Sequence, residues 1–368
     1  MGISTKNDLN MKSEKISKIT IWKLKLPLKV PYVLSYNTFI EFEPIVAEVQ
    51  LSNGKRGWGE AHISPGSSSE TRSGGWNFVK SISKELIGTT PDLAITSILK
   101  STSHSPVAKT SLAVAIEMAT NYTSLITTED IVFPLLTPFN ATDPETIETE
   151  IEERLALGFK TFKIKVGKDV EKDLRRLTSI QKGLSGRATL RLDANRAYSR
   201  SDALNFVKKL DVEQIELFEQ PCNADDWNAN ADVARISPVP VMLDEPICSF
   251  SDIDRASTIP NVGFCKLKLK RFSSIAQLER GILRVKEHGM QAVLGDGLGG
   301  DMSCWMEACV GHRLINNAGE FNGFLKTKKS ILLKPLDFDN GAVHVPKNYW
   351  PDIDLDYIET LIIDRASF

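Results

Sequence analysis

From about residue 131 the chain repeats one unit: a short apolar run, a polar residue closing it, then an amphipathic helical stretch. "TFKIKVG" leads into "VEKDLRRLTSIQKGL", and "ATLRLDAN" into "SRSDALNFVKKL". The closing residues are Asn140, Lys165, Asp193, Glu219, Asp244, Lys268, Asp296 and Glu320, at intervals of 25, 28, 26, 25, 24, 28 and 24. Eight strands on this period predict an α/β fold of the (β/α)8 type, whose functional groups stand at the C-terminal strand ends. A doubly wound open sheet is the competing layout. It needs a switch point and usually a Gly-rich phosphate loop, and neither is found.

The preceding residues read differently. "IVAEVQL", "SNG" and "KRGWGEA" predict a hairpin turning at Asn53-Gly54. "WNFVKSISKELIG" and "SPVAKTSLAVAIEMATNYTSL" have helical spacing, the second with a small-residue face suited to close packing. The predicted organisation is a flexible leader over 1–17, with Met11 as an alternative start, and an α+β capping domain over 18–130. The barrel follows over 131–330, and a segment over 331–368 crosses back to the capping domain. A formal net charge of −2 gives no electrostatic case for nucleic acid or an anionic membrane. No apolar run approaches the roughly 20 residues of a membrane span. Five cysteines without CxxC spacing suit a reducing cytoplasm better than a disulfide scaffold or zinc site. A small-molecule partner and a homo-oligomer are expected.

Lys163 and Lys165 are two apart in a strand, so both ammonium groups point the same way. Pointing outward, they are ordinary solvated lysines. Pointing inward, they need anions, and Asp193, Glu219 and Asp244 close the next three strands. Carboxylates converging at adjacent strand tips repel one another unless a cation holds them. Hard oxygen donors without nearby His or Cys select Mg²⁺, with Mn²⁺ as its substitute, over zinc. Each acid alone is more often a helix cap or turn residue than a ligand. The order Lys, Asp, Glu, Asp, Lys, one repeat apart, is what capping does not explain.

"FKIKVG", "LRLDAN", "LFEQP", "LDEP" and "KLKLKRFSS" resemble the barrel motifs of the enolase superfamily, in its muconate-lactonizing-enzyme subgroup. "GWGEA" and "SSSETRSGG" resemble that family's capping domain, and "NGAVHVP" its C-terminal return strand. The resemblance implies Asp193, Glu219 and Asp244 as Mg²⁺ ligands, and Lys165 and Lys268 as acid/base residues. The register of "RFSSI" selects Lys268 over Lys266 and Lys270. It also implies that Lys163 holds the substrate carboxylate and depresses the pKa of Lys165, with Asn195 and Glu245 in support. A carbon acid beside a carboxylate needs its enediolate stabilised, which a Lewis acid does, and a neutral amine as base.

Two lysines permit racemisation or epimerisation of an amino-acid derivative or dipeptide. The same frame also permits cycloisomerisation of the muconate type, or dehydration of the o-succinylbenzoate synthase or acid-sugar type. A barrel kept only for binding is the remaining alternative. The seventh strand, "QAVLGDG", carries no His, and the five histidines (His62, His104, His288, His312, His344) fall elsewhere, mostly on the surface or in loops. Asp296, Asp301, Glu320 and Asn322 are expected at the mouth as substrate contacts, suiting a cationic or amino group, although Asp296 and Asp301 read equally as helix caps. Tyr32, Tyr36 and Trp76 are further candidate contacts.

Overall fold

The computed structural model describes residues 14–33, 38–65, 69–101 and 105–368. Tyr36 and His104 lie outside the described residues. Strands β1 (Ile16–Leu24), β2 (Leu26–Val33), β3 (Thr38–Phe42), β4 (Pro44–Leu51) and β5 (Arg56–His62) come first. Helices α1 (Arg72–Leu86), α2 (Pro91–Lys100) and α3 (Ala108–Ala119) follow. β1, β4 and β5 pair antiparallel in one sheet, and β2 and β3 form a separate hairpin. β1 begins at Ile16, two residues inside the stretch read as leader. The turn after β4 spans residues 52–55, with positive φ at Gly54 but not at Asn53. It is therefore longer than the two-residue turn that Asn-Gly predicts.

The small-residue face of α3 lies directly on β5. Every second residue of a strand faces the same side, and on the helix side β5 carries Gly57 and Gly59. A Cβ at Gly57 would stand 2.2 Å from Ala115 O, and one at Gly59 would stand 2.0 Å from Ser111 O. Helix and sheet approach backbone to backbone because "GWGE" keeps this face bare.

After β6 (Ile131–Pro134), seven parallel neighbours run in chain order: β7 (Thr137–Phe139), β8 (Thr161–Lys165), β9 (Thr189–Asp193), β10 (Ile215–Glu219), β11 (Val241–Leu243), β12 (Val262–Leu267) and β13 (Gln291–Leu294). The eighth position is irregular. Residues 318–320 close the ring through Gly319 N to Pro134 O, Leu136 N to Gly319 O and Glu320 N to Leu294 O, each at 2.9 Å. The barrel interior holds an apolar layer of Leu217, Met242, Phe264 and Val293. Arg191, 1% exposed, reaches Glu216 (2.8 Å) and Ala318 O (2.8 Å).

β14 (Asp337–Asp339) pairs with β15 (Ala342–Val345), and β15 in turn with β6, so "AVHV" joins the strand entering the barrel. The return to the N-terminal sheet is made later, by β16 (Ile362–Ser367) against β1. Buried carboxylates fasten the two parts: Glu117 accepts from Ile275 N (2.7 Å) and Ala276 N (3.0 Å), and Glu60 from Gly300 N (2.9 Å) and Met302 N (3.1 Å). Each occupies otherwise unsatisfied donors at a helix start. No described helix is long and apolar enough to cross a membrane.

Replacing Gly59 by Ala should force α3 off the sheet. We expect a loss of about 1–3 kcal/mol, the usual cost of overpacking, read from urea unfolding midpoints. An unchanged midpoint would contradict the backbone contact.

Candidate active site

The strand registers place the key residues at one level. Lys165 is opposite Asp193, and Asp193 opposite Glu219. Asp244 follows directly on β11, and Lys268 follows β12 at the start of a short helix. All lie at the C-terminal mouth. One cavity there is lined by Lys163, Lys165, Asn195, Asp244, Glu245, Lys268, Asp296 and Glu320, together with Tyr32, Arg196, Arg271, Gly297 and Leu298.

Lys163 and Lys165 point inward. The Lys163 side chain is only 5% exposed, and its ammonium stands 2.8 Å from Asp193 Oδ2, 2.8 Å from Glu219 Oε2 and 2.9 Å from Glu320 Oε1. Burial pushes its pKa down, but the pull of these three anions outweighs it and holds the ammonium well above its ordinary value. Lys165 lies 2.5 Å from Asp193 Oδ2 and also donates to Asn195 Oδ1. Asn195 and Arg196 both have positive φ, 43° and 71°. This uncommon pair of left-handed residues turns the chain so that Asn195 faces back towards Lys165.

The three lysines of "KLKLK" separate by depth. Lys266 is fully buried and paired with Glu320 inside the barrel. Lys268 reaches Asp244, at 2.9 Å from Oδ1 and 3.0 Å from Oδ2. Lys270 turns away to Asp296. Only Lys268 of the three lines the cavity. Burial and Arg271 lower its pKa, yet Asp244, Asp296 and Glu245 carry it above the ordinary value. The lowered lysine pKa expected of a base is thus not found at Lys268 in this charge arrangement, because Asp244 directly neutralises the ammonium. Asp244 is correspondingly held well below the usual carboxylate range, against burial, by Lys268 and Arg271.

The donor chemistry suits a divalent cation. Asp193, Glu219 and Asp244 are all buried, and both Glu219 oxygens lack an aligned hydrogen-bond donor, since Lys163 approaches out of line. Burial, then Asp193, raises the Glu219 pKa, as expected of an under-compensated carboxylate. As the side chains stand, lysine ammonium groups lie among these acids. No three carboxylates, imidazoles or thiolates among the described residues converge closely enough to grip one ion. Glu245 is raised to about 7 by burial and then by Asp244 and Asp193, its Oε1 standing 3.3 Å from Arg196 Nε.

The acidic mouth is corrected by the pairing. Asp301 is not a cavity residue: it opens the helix Asp301–Leu314 and accepts from Ser330 Oγ at 2.6 Å. Asn322 lies beneath the lining, its amide donating to Leu136 O (3.2 Å) and accepting from Lys326 (2.5 Å). Asp296 and Glu320 do line the cavity but are paired with Lys270 and with Lys163 and Lys266. Trp76 packs on the N-terminal sheet and donates to Asp364 (2.7 Å), whereas Tyr32 does reach the cavity. His62 is buried, not superficial, with neither ring nitrogen hydrogen-bonded. Sequence reasoning missed Arg271, which donates to Asp244 Oδ1 at 2.9 Å. Its position in "KLKLKRFSS", one helical turn past Lys268, was the available signal. It also missed Arg196.

Residues 146–349 match the family model described as enolase C-terminal domain-like. The chain is 23% identical over 331 residues to an N-succinyl-L-Arg/Lys racemase of Bacillus cereus, covering 86% of this chain and 89% of that protein. It is 26% identical over 305 residues to an L-Ala-D/L-Glu epimerase of Clostridium acetobutylicum, covering 78% and 84%. Its fold superposes on the dipeptide epimerase of Cytophaga hutchinsonii, crystallised with Mg and D-Ala-L-Val, with a TM-score of 0.85 at 20% identity over 96% of this chain and 99% of that one. The muconate lactonizing enzyme of Pseudomonas fluorescens, crystallised with muconolactone, gives 0.86 at 21% identity over 95% and 100%. With the barrel, its mouth and the family match in agreement, the chain belongs to the enolase C-terminal domain-like family.

Proposed function

We propose that this chain is an isomerase that removes and returns the proton α to a substrate carboxylate, racemising or epimerising an amino-acid derivative. The observation carrying this reading is the placement of Lys165 and Lys268. They stand at the second and sixth of eight barrel positions, opposite one another across a cavity that both line. The carboxylates of Asp193, Glu219 and Asp244 occupy the three positions between. Relatives that racemise or epimerise such compounds support it.

Asp193, Glu219 and Asp244 are the residues that would hold Mg²⁺, which when bound supplies Lewis-acid stabilisation to the substrate carboxylate. One lysine takes the proton from its side of the carbon, and the other delivers a proton from the opposite side. Asn195 holds the Lys165 ammonium in place, and Arg271 holds Asp244. Lys163 compensates the buried acids from below, and so keeps their charge within what the barrel tolerates. The five unpaired cysteines suit a reducing cytoplasm.

A second reading rests on the unequal settings of the two lysines: the Lys165 side chain is 37% exposed and that of Lys268 15%. One base and one charge-stabilising lysine would serve a cycloisomerase.

Glu219→Gln removes one negative donor without opening a cavity. Mg²⁺ affinity, measured by calorimetry, should fall by at least roughly 100-fold, the upper range for residues merely adjacent to ligands. Turnover should go with it while the thermal midpoint is kept. Full affinity in both Glu219→Gln and Asp193→Asn would remove these residues from the metal site.

Lys165→Ala and Lys268→Ala should each lose net isomerisation by about 10²–10⁴-fold. Proton exchange in D₂O, followed by NMR, should show opposite stereochemical bias in the two variants. If one variant exchanged both stereoisomers and the other neither, the single-base cycloisomerase reading would take its place.

A further inference from the structure

Lys268 is the last extended residue, φ −128° and ψ 128°, before the short helix Leu269–Phe272, and its side chain caps none of that helix's donors. The first donor, Leu269 N, is taken instead by Glu307 Oε1 at 3.1 Å. The Lys268 carbonyl accepts from Arg271 N at 2.9 Å, so the peptide leaving Lys268 is held at both its oxygen and its nitrogen. Fixing that plane fixes the backbone from which the Lys268 side chain departs. Lys165 is held differently, from within the barrel, by Asn195 on its side chain and by Arg176 Nη1 on its carbonyl at 2.9 Å.

Glu307 is 2% exposed and belongs to the helix Asp301–Leu314, about two turns past the N–H groups that Glu60 of β5 occupies. It lines a second cavity with His62, Thr110, Lys270, Asp296 and Ser303, and Asp296 belongs to both cavities. Here β5 and α3 face the barrel. His62, also 2% exposed, has neither ring nitrogen hydrogen-bonded, and its ring lies 5.0 Å from that of Phe42. Burial, then Lys270, pushes its pKa down to about 3, so the neutral imidazole presents one donor and one acceptor nitrogen. Burial lifts Glu307 to about 8 against its bond from Leu269 N, with Asp296 adding to the rise and Lys270 and Lys266 opposing it. At neutral pH its carboxyl then keeps an O–H to donate. The second cavity has room for about one water. Such a water can accept from that O–H and donate to the imidazole.

We propose that Glu307 is a positioning residue for Lys268, acting through Leu269 N, and that one bridging water ties it to His62 of β5. The capping domain thereby grips the segment carrying one of the two bases and leaves the other to the barrel. This rests on the proton-abstraction reading above and adds to it the residues that set the geometry of one base.

The test follows α-proton exchange in D₂O by NMR for each stereoisomer of a panel of N-acyl amino acids and dipeptides, with the Mg²⁺-loaded full chain. Hydrogen exchange at the Leu269 amide and the ring-nitrogen shifts of His62 are read on the same proteins without substrate. Glu307→Leu should slow exchange by at least about tenfold for the stereoisomer that depends on Lys268, through kcat with KM little changed. The stereoisomer that depends on Lys165 should be nearly unaffected. Glu307→Gln keeps an acceptor for Leu269 N and a donor for the water, and should retain most of the activity. His62→Leu should show the same one-sided loss, about threefold, the smaller effect of losing a water-mediated contact. Protection of the Leu269 amide should vanish in Glu307→Leu, weaken in His62→Leu and persist in Glu307→Gln, and the His62 shifts should move only in Glu307→Leu. Equal loss for both stereoisomers, no loss, or a Gln variant as impaired as the Leu variant would overturn the proposal. Should Glu307→Leu not fold, His62→Leu decides, and an unaltered stereochemical balance there overturns it. If the unmodified chain exchanges none of the compounds, proton abstraction falls. The Leu269 protection and His62 shifts then decide the contact by themselves, and unchanged values overturn it too.

Discussion

The structure depends on how charge is shared inside the barrel. Lys163 lies within 3 Å of Asp193, Glu219 and Glu320, three residues from three other strand positions. A lone ammonium or carboxylate at that depth costs several kcal/mol. The cost is offset only while the strands keep their register, because a slip of one residue turns each charge to the outer face. Chemistry and fold therefore share one set of contacts. Lys266 with Glu320 and Lys268 with Asp244 extend the same alternation of sign around the ring.

That alternation explains why much of the site was legible in sequence. Strand ends recur with a fixed period, so Lys165, Asp193, Glu219, Asp244 and Lys268 are found by counting, and the structure sets them at or just past the C-terminal ends of five neighbouring strands. Depth was legible as well: Lys266 and Lys268 differ by two residues and end on different acids. Pairing across the ring was not. The sequence shows acids at 296 and 320 but not which lysine reaches them, so a neutralised wall read as an acidic one. Asp301 shows the same limit, since helix caps and site residues look alike until a partner such as Ser330 is seen.

The joints between the two parts of the chain were the least legible. Glu117 meets backbone groups 158 and 159 residues away, and Glu60 meets groups 240 and 242 residues away. Nothing local marks either as a clasp. Burial raises both pKa values to about 7, a sign that the clasps work against desolvation. The glycines of "GWGE" are visible as glycines, but their need comes from a helix more than fifty residues later. Likewise, the eighth barrel position reads as a strand although only a single bridge forms there.

The floor of the barrel has a consequence for traffic. Buried Arg191 donates to Ala318 O, and the layer of Leu217, Met242, Phe264 and Val293 leaves the lower half packed with side chains. Among the described residues, the packed lower half leaves the cavity at the C-terminal mouth. On the proposed reading, substrate and the water that would refresh a lysine's proton share the mouth that Tyr32 helps to line. A proton taken from one face of a substrate can therefore remain inside for as long as the substrate does. If Lys165 and Lys268 act as proposed, residence time at the mouth, more than the strength of either base, governs how often a proton is handed back to the molecule that gave it up.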